Sequence, residues 1–210
     1  MNYIISQGGC SSYGIMRWAK TPFPIIIDGF EYNAHGRDPN YISFLSSLLP
    51  IDRKKLYQEG DKVLYVIANP YDYTIYCLSK DPGWTIHHAA QAGSDFKYFE
   101  KNKPSLIEYL NDPYDAFFYK EHAEGYLNND SRKYDLMFIK YESLNDVDIM
   151  NRVKEFWGFS DGHPDFEFKQ RTSNWTNSSQ EIKELFDKKY GHLMKWYEEL
   201  PKYSILKSNG

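Results

Sequence analysis

The stretch KVLYVIANPYDYTIY, residues 62–76, contains a nearly continuous apolar run that ends at an Asn-Pro pair. Such a run, rich in β-branched and aromatic residues, is typical of a strand buried on both faces of a parallel sheet. We therefore predict a strand over Lys62–Ala68. Pro70 ends it, and Asp72 can cap the helix that we predict over Tyr71–Ser79. Ligands of open α/β sheets bind where such strands end, although an ordinary strand–turn–helix corner would use the same residues.

Three further apolar runs predict strands, over Tyr3–Ser6, Pro24–Asp28 and Tyr134–Tyr141. Apolar residues at three- and four-residue steps predict a long helix over Ser178–Leu200. Shorter helices are predicted over Ile15–Lys20, Tyr41–Leu49, Trp84–Ala92, Ser105–Leu110 and Asp115–Leu127. Strands that alternate with helices predict an α/β fold with a mostly parallel central sheet flanked by helices, in a single domain over residues 1–210.

Composition excludes several classes of protein. Hydrophobic residues make up 41% of the 210 residues, which is enough for a proper core. The net charge of −4 argues against a nucleic-acid surface. We expect no membrane span and no signal peptide, because long apolar runs and a charged leader are both missing from the sequence. Cys10 and Cys77 form neither a disulfide framework nor a metal-ligand spacing, so a cytoplasmic location is the expectation.

A glycine-framed stretch, QGGCSSYG at residues 7–14, follows the first predicted strand. Glycines let backbone amides approach an anion closely, and the next helix would add the positive end of its dipole. We predict that residues 9 to 14 form the turn, with several amides converging on one point. The stretch is not a Walker A loop, because no Gly-Lys-Ser/Thr ends it. A purely structural turn accounts for the same residues equally well.

Two later stretches add polar groups. FIKYESLND, residues 138–146, continues into VDIMNRVKEFWGFS, and KQRTSNWTN occupies residues 169–177 just before the last long helix. In the second of these, Arg171 stands close to Thr172 and Trp175, a set that can hold an anion and stack on a ring. We expect Arg171 and Trp175 to lie over the same cleft as Ser11.

Taken in order, these stretches resemble the sulfotransferase family, whose donor is 3′-phosphoadenosine-5′-phosphosulfate (PAPS). The resemblance runs from the first strand to about Pro201. GCSSYG stands where the family has a Lys/Arg-Ser-Gly-Thr-Thr loop, ANPYD is similar to Arg-Asn-Pro-Arg-Asp, and KYESL looks like Arg-Tyr-Glu-Asp-Leu. RTSNWTN resembles the loop that covers the donor's 3′-phosphate, and YGHLMKWYEEL is typical of the family's last helix.

The resemblance implies a P-loop-type three-layer fold and transfer of a sulfuryl group from PAPS to a hydroxyl or amine, without a metal. The acceptor would be a small molecule or a carbohydrate. His35, in NAHGRDP, is the implied base, with Glu31 and Asp38 as alternatives. The implied donor-binding residues are Gly9, Cys10, Ser11, Ser12, Tyr13, Gly14, Asn69, Tyr76, Tyr141, Arg171, Thr172 and Trp175.

Three positions depart from the family pattern. Cys10 replaces the loop cation, Ala68 replaces the arginine that opens Arg-Asn-Pro, and Tyr76 replaces a serine that binds the 3′-phosphate. Each lost charged hydrogen bond costs roughly 1.5–3 kcal/mol. The cations available as substitutes are Arg17, Lys20, Lys140, Lys169 and Arg171. The alternative function is therefore a degenerate, non-catalytic relative that binds a ligand through the same cleft; a small-molecule kinase would lack its Walker lysine.

Overall fold

The computed structural model describes residues 2–6, 12–19, 41–46, 49–169 and 175–209. Its strands are β1 (Asn2–Ser6), β2 (Tyr41–Ser46), β3 (Leu49–Leu56), β4 (Lys62–Ile67), β5 (Asp135–Lys140) and β6 (Tyr203–Leu206). Its α-helices are α1 (Ser12–Ala19), α2 (Pro70–Leu78), α3 (Pro82–Gln91), α4 (Phe96–Asn102), α5 (Leu106–Asn111), α6 (Tyr119–Leu127), α7 (Val147–Trp157) and α8 (Gln180–Glu199). Short 3-10 helices cover Tyr141–Asn145 and Trp175–Asn177.

The central sheet has the strand order β1-β4-β5-β6. β1, β4 and β5 are parallel, and β6 returns antiparallel to β5 at the edge. The predicted α/β class and mostly parallel sheet are confirmed. In the pairing register, Ser6 lies opposite Val66, and Val66 lies opposite Ile139. The three parallel strands therefore end at one common edge of the sheet, called the carboxyl edge below.

Helices cover both faces of this sheet, which explains why β4 and β5 are almost uniformly apolar. On one face, Tyr65 and Phe138 stack with ring centroids 6.3 Å apart, within a cluster that includes residues of α2, α3, α4, α5, α6 and α8. On the other face, Leu64 and Met137 are fully buried against residues of α1 and α7. Side chains alternate between these two clusters along β1, β4 and β5, as the pleat requires.

One predicted helix is wrong. Residues predicted as the helix Tyr41–Leu49 instead form β2 and the first residue of β3, which pair antiparallel with Tyr41 opposite Leu56. Tyr41, Ile42 and Phe44 are aromatic or β-branched and favour a strand once a partner strand is present. Periodicity alone does not separate helix from strand in so short an apolar run.

Other boundaries and elements also differ from the predictions. α1 begins at Ser12, so residues 12–14 belong to its first turn and not to the loop before it. α6 begins at Tyr119 instead of Asp115. Helices α4 and α7 and the edge strand β6 were not predicted. The predicted strand Pro24–Asp28 lies outside the described residues. Within the described part of the chain, no helix is long and apolar enough to cross a membrane.

A half-buried carboxylate, Asp115, lies in the segment before α6 and joins α5 to α8. The Oδ1 of Asp115 accepts hydrogen bonds from the hydroxyls of Tyr190, at 2.6 Å, and Tyr109, at 3.0 Å. The two phenol oxygens are also 2.8 Å from each other. Burial, followed by the charge of Asp115, raises the pKa of the Tyr109 phenol well above its ordinary value. The pKa of Tyr190 is raised in the same direction, with burial again the main cause.

We expect Tyr190→Phe to lower the free energy of unfolding at neutral pH by about 1–3 kcal/mol, because it removes a partly buried hydrogen bond from a fully buried phenol to a charged group. Tyr98→Phe is the matched control, since the Tyr98 hydroxyl donates to Asp112 at 2.8 Å from a less buried position. Urea denaturation of the two variants measures the difference. Equal losses in both would contradict a special role for the Asp115 network.

The same variant changes the response to alkaline pH. A phenol whose pKa is higher in the folded than in the unfolded protein ionises first in the unfolded chain. Its contribution to the free energy of unfolding is therefore complete below about pH 10 and is lost as the pH rises further. Each such phenol adds a slope of up to about 1.4 kcal/mol per pH unit. Tyr190→Phe should therefore show a shallower loss of stability above pH 10 than the wild type.

Candidate functional site

The carboxyl edge of the sheet brings together the chain segments that follow β1, β4 and β5. α1 follows β1, α2 follows β4, and the 3-10 helix Tyr141–Asn145 follows β5. Since the first N–H groups of any α-helix lack partners within the helix, α1 and α2 both begin with hydrogen-bond donors at this edge. Asn69 is the link between the strand-end segments after β4 and β5.

Asn69 caps α2 and uses every polar atom of its amide. Its Oδ1 accepts the backbone N–H of Asp72 at 2.8 Å. Its Nδ2 donates to Asp72 Oδ2 at 2.8 Å and to Glu142 Oε1 at 3.1 Å. The side chain is nearly buried, and Pro70 occupies the first helical position, where no N–H is needed. The neutral amide of Asn69 thus lies between two carboxylates and donates to both. Asp72 comes from α2, and Glu142 comes from the segment that follows β5.

The loop that precedes α8 is attached to the same corner. The backbone N–H of Trp175 donates to Asp72 Oδ1 at 2.7 Å, across a sequence separation of 103 residues. The Trp175 ring meets the Tyr71 ring edge-on, with centroids 5.1 Å apart. Tyr71 in turn stacks on Phe186 of α8 at 4.8 Å and donates its hydroxyl to Asp187 at 2.8 Å. These contacts place Trp175 beside the first turn of α2.

Glu142 is held from a second side by α8, because the Tyr197 hydroxyl donates to its Oε2. Lys140 lies 4.7 Å from the centroid of the Tyr197 ring and donates to the carbonyl of Glu198 at 3.2 Å. Burial lowers the pKa of the Lys140 ammonium, and this outweighs the opposite influence of the Glu142 and Glu198 carboxylates. The end of β5 therefore carries an oriented carboxylate and a partly desolvated ammonium.

A surface cleft of about 370 Å³ opens beside these groups, between the end of β5, α8 and the segment that leads to β6. It is called the β5 cleft here, and its polar lining comprises Lys140, Glu142, Ser143, Asn145, Asp146 and Lys202. Asn69 also lines it, so the cleft adjoins the end of β4. Among the described residues, no three His, Cys, Asp or Glu side chains come together as a metal site.

The structure brings some of the sequence-derived candidates to the carboxyl edge. Asn69 and Trp175 lie there, and Ser12, Tyr13 and Gly14 form the first turn of α1. Several other candidates lie outside the described residues: Gly9, Cys10, Ser11, His35, Arg171 and Thr172. The predicted proximity of Ser11, Arg171 and Trp175 and the predicted convergence of amides in the loop therefore stay predictions.

Two other candidates are packed into the protein. Tyr141 is only 5% exposed, and its ring lies 5.3 Å from that of Phe168. Tyr76 lies two helical turns along α2, where its ring meets Trp84 edge-on at 5.4 Å. The ammonium of Lys80 is 4.9 Å from the centroid of the Tyr76 ring.

Sequence reasoning missed the pairing of Glu142 with Asn69 and Tyr197. The position of Glu142 just after a predicted strand was a usable signal, since that strand was predicted to run parallel to its neighbour. Tyr197 gave no such signal. It lies 55 residues from Glu142, and its position on the apolar face of a helix is already sufficient reason for an aromatic residue there.

Comparison with known proteins finds no matching family model, no matching curated protein and no matching solved structure.

We expect Asn69→Ala to lower the free energy of unfolding by about 2–4 kcal/mol, because it removes a helix cap and also leaves the carboxylates of Asp72 and Glu142 without their shared donor. Asp81→Ala is the matched control. Asp81 caps α3 by accepting the N–H of Trp84 at 2.9 Å, and it is exposed, so its loss should cost only about 1 kcal/mol. Denaturant unfolding that gives equal values for the two variants would contradict the linking role of Asn69.

Proposed function

We propose that the protein binds PAPS at the carboxyl edge of the sheet and transfers its sulfuryl group to a hydroxyl or amine acceptor. In this proposal the fold is of the P-loop type. The observation that carries it is the hydrogen bond from the Trp175 N–H to Asp72 Oδ1. It joins the stretch that resembles the family's 3′-phosphate loop to the stretch that resembles Arg-Asn-Pro-Arg-Asp. The resemblance requires these two stretches to act on one nucleotide.

The described residues fit such a donor at one end of the edge. α1 begins there, so its first-turn amides can bind an anion, and Arg17 on the same helix is exposed. Partly buried Trp175 offers a ring for a nucleobase. The donor supplies the activated sulfuryl group, and the protein supplies positioning and stabilisation of developing charge.

The proposed reaction is an in-line displacement. A new bond forms between the acceptor oxygen or nitrogen and sulfur as the bond from sulfur to the phosphate oxygen breaks. The acceptor's proton passes to a base, for which His35 is the candidate, and 3′-phosphoadenosine-5′-phosphate leaves with the bonding electrons. Charge that develops on the bridging oxygen would be met by backbone amides and by the hydroxyls of Ser11, Ser12 and Tyr13.

Two of the departures from the family pattern, at Ala68 and Tyr76, favour a second candidate function. Ala68 is fully buried and its carbonyl accepts the Tyr119 hydroxyl, so this position supplies packing and no cation. Tyr76 likewise packs against Trp84, where the family has a phosphate ligand. A non-catalytic relative that binds a nucleotide or another ligand at the same edge accounts for both substitutions.

Calorimetric titration with 3′-phosphoadenosine-5′-phosphate tests the binding step. We expect saturable binding by the wild type and weaker binding by Ser11→Ala, by about tenfold, because a hydroxyl contact to an anion is lost. Ser160→Ala, at an exposed position away from the carboxyl edge, is the control and should bind like the wild type. A wild-type protein that does not bind this nucleotide would contradict the sulfotransferase and would leave only a non-catalytic relative that binds another ligand.

Turnover separates the two candidates. If the protein is an active sulfotransferase, His35→Ala should lower the rate of sulfate transfer from PAPS by about 10²–10⁴-fold, because the base is lost, and should leave nucleotide affinity nearly unchanged. His87→Ala, at an exposed position of α3, serves as the control. Undiminished turnover in His35→Ala would remove His35 from the mechanism, and nucleotide binding without any transfer would support the non-catalytic relative.

A further inference from the structure

The β5 cleft presents hydrogen-bonding groups that the protein itself does not use. Ser143 is 7% exposed and lines the cleft, and its hydroxyl has no hydrogen-bond partner among the described residues. Asn145 and Lys202 are exposed, and within the same part of the chain their side chains also make no hydrogen bond. The Ser143 hydroxyl reaches the cleft, where it offers both a donor and an acceptor to a ligand.

Glu142 adds an acceptor whose direction is fixed. Each of its carboxylate oxygens already accepts one hydrogen bond, from Asn69 and from Tyr197. A carboxylate has about four acceptor sites, so each oxygen keeps one for a ligand. Because both oxygens are anchored, the carboxylate would bind a ligand hydroxyl with little loss of side-chain entropy.

The charges in the cleft are balanced and exclude a phosphate as the favoured ligand. Lys140 and Lys202 carry two positive charges, and Glu142 and Asp146 carry two negative charges. Lys140 is already directed to the Glu198 carbonyl and the Tyr197 ring. A phosphate would meet two carboxylates, whereas a neutral ligand with many hydroxyls would find both donors and acceptors and no net charge.

We propose that the β5 cleft binds one unit of a neutral, hydroxyl-rich carbohydrate. Glu142 accepts from a sugar hydroxyl, Lys202 donates to one, and Ser143 and Asn145 do both. Met194, which also lines the cleft, supplies apolar contact for the C–H groups of the ring. Since Asn69 borders both the cleft and the end of β4, the sugar lies next to the carboxyl edge. That this sugar is the acceptor of the sulfuryl group rests on the proposed function.

The test is a titration of ¹⁵N-labelled protein with neutral oligosaccharides of glucose, galactose, mannose and N-acetylglucosamine, followed by amide chemical shifts. We expect at least one of them to shift the amides of residues 140–146 and of Lys202. Ser143→Ala and Asn145→Ala should each weaken that binding about tenfold, because each removes hydrogen bonds to the ligand. Asn151→Ala, at an exposed position of α7 that does not line the cleft, is the matched control and should bind like the wild type.

Three results would overturn the proposal. The first is that no oligosaccharide shifts these amides. The second is that Ser143→Ala and Asn145→Ala bind the sugar like the wild type, and the third is that inorganic phosphate or glycine shifts these amides and the sugars do not.

Titration of the same sample with 3′-phosphoadenosine-5′-phosphate keeps the two proposals separate. Sugar binding without nucleotide binding would support the site and contradict its role in sulfuryl transfer. Nucleotide binding without sugar binding would contradict the site alone.

Discussion

The amide of Asn69 is the contact on which the carboxyl edge of the sheet depends. Two neighbouring strands end in segments that carry carboxylates, Asp72 after β4 and Glu142 after β5, and Asn69 donates to both. An aspartate at this position would place a third negative charge between them, and an alanine would leave them without a common donor. The Asn69 side chain and its partner Asp72 therefore join three features: the N-terminal cap of α2, the segments that follow β4 and β5, and the loop that contains Trp175.

The position of the polar groups follows from the burial of the sheet. Helices cover both faces, so β4 and β5 can carry only apolar side chains along most of their length, and polar chemistry is confined to the strand ends. At the carboxyl edge α1, α2 and the Trp175 segment lie on the side proposed for the donor, and the β5 cleft lies beside it with Asn69 at the boundary. Donor and acceptor sites would then be neighbours without sharing their charged groups.

The sequence allowed accurate prediction where the signal was local. β4, β5 and α8 were predicted because a long apolar run and a three-to-four-residue periodicity each report burial directly. The β2–β3 pair was misjudged because only the partner strand distinguishes a strand from a helix in so short a stretch. β6 was missed because it is only four residues long and Ser204 interrupts its apolar residues.

Only part of the candidate site could be predicted from the sequence. Asn69 and Trp175 were found from motif order, and both lie at the carboxyl edge. The Glu142–Tyr197 contact joins positions far apart in the chain, and both residues have ordinary explanations in their own elements. Such a contact follows from how α8 packs beside the end of β5, which no local pattern specifies.

The central claim is that a donor nucleotide binds at the carboxyl edge of β1 and β4. Its most direct measurement is mapping of amide chemical shifts as 3′-phosphoadenosine-5′-phosphate is added to ¹⁵N-labelled protein. We expect the largest shifts on the first turn of α1, on Asn69–Asp72 and on Trp175. Shifts concentrated elsewhere, such as around Lys80 and Lys103 in the separate cleft between α3 and α5, would contradict it.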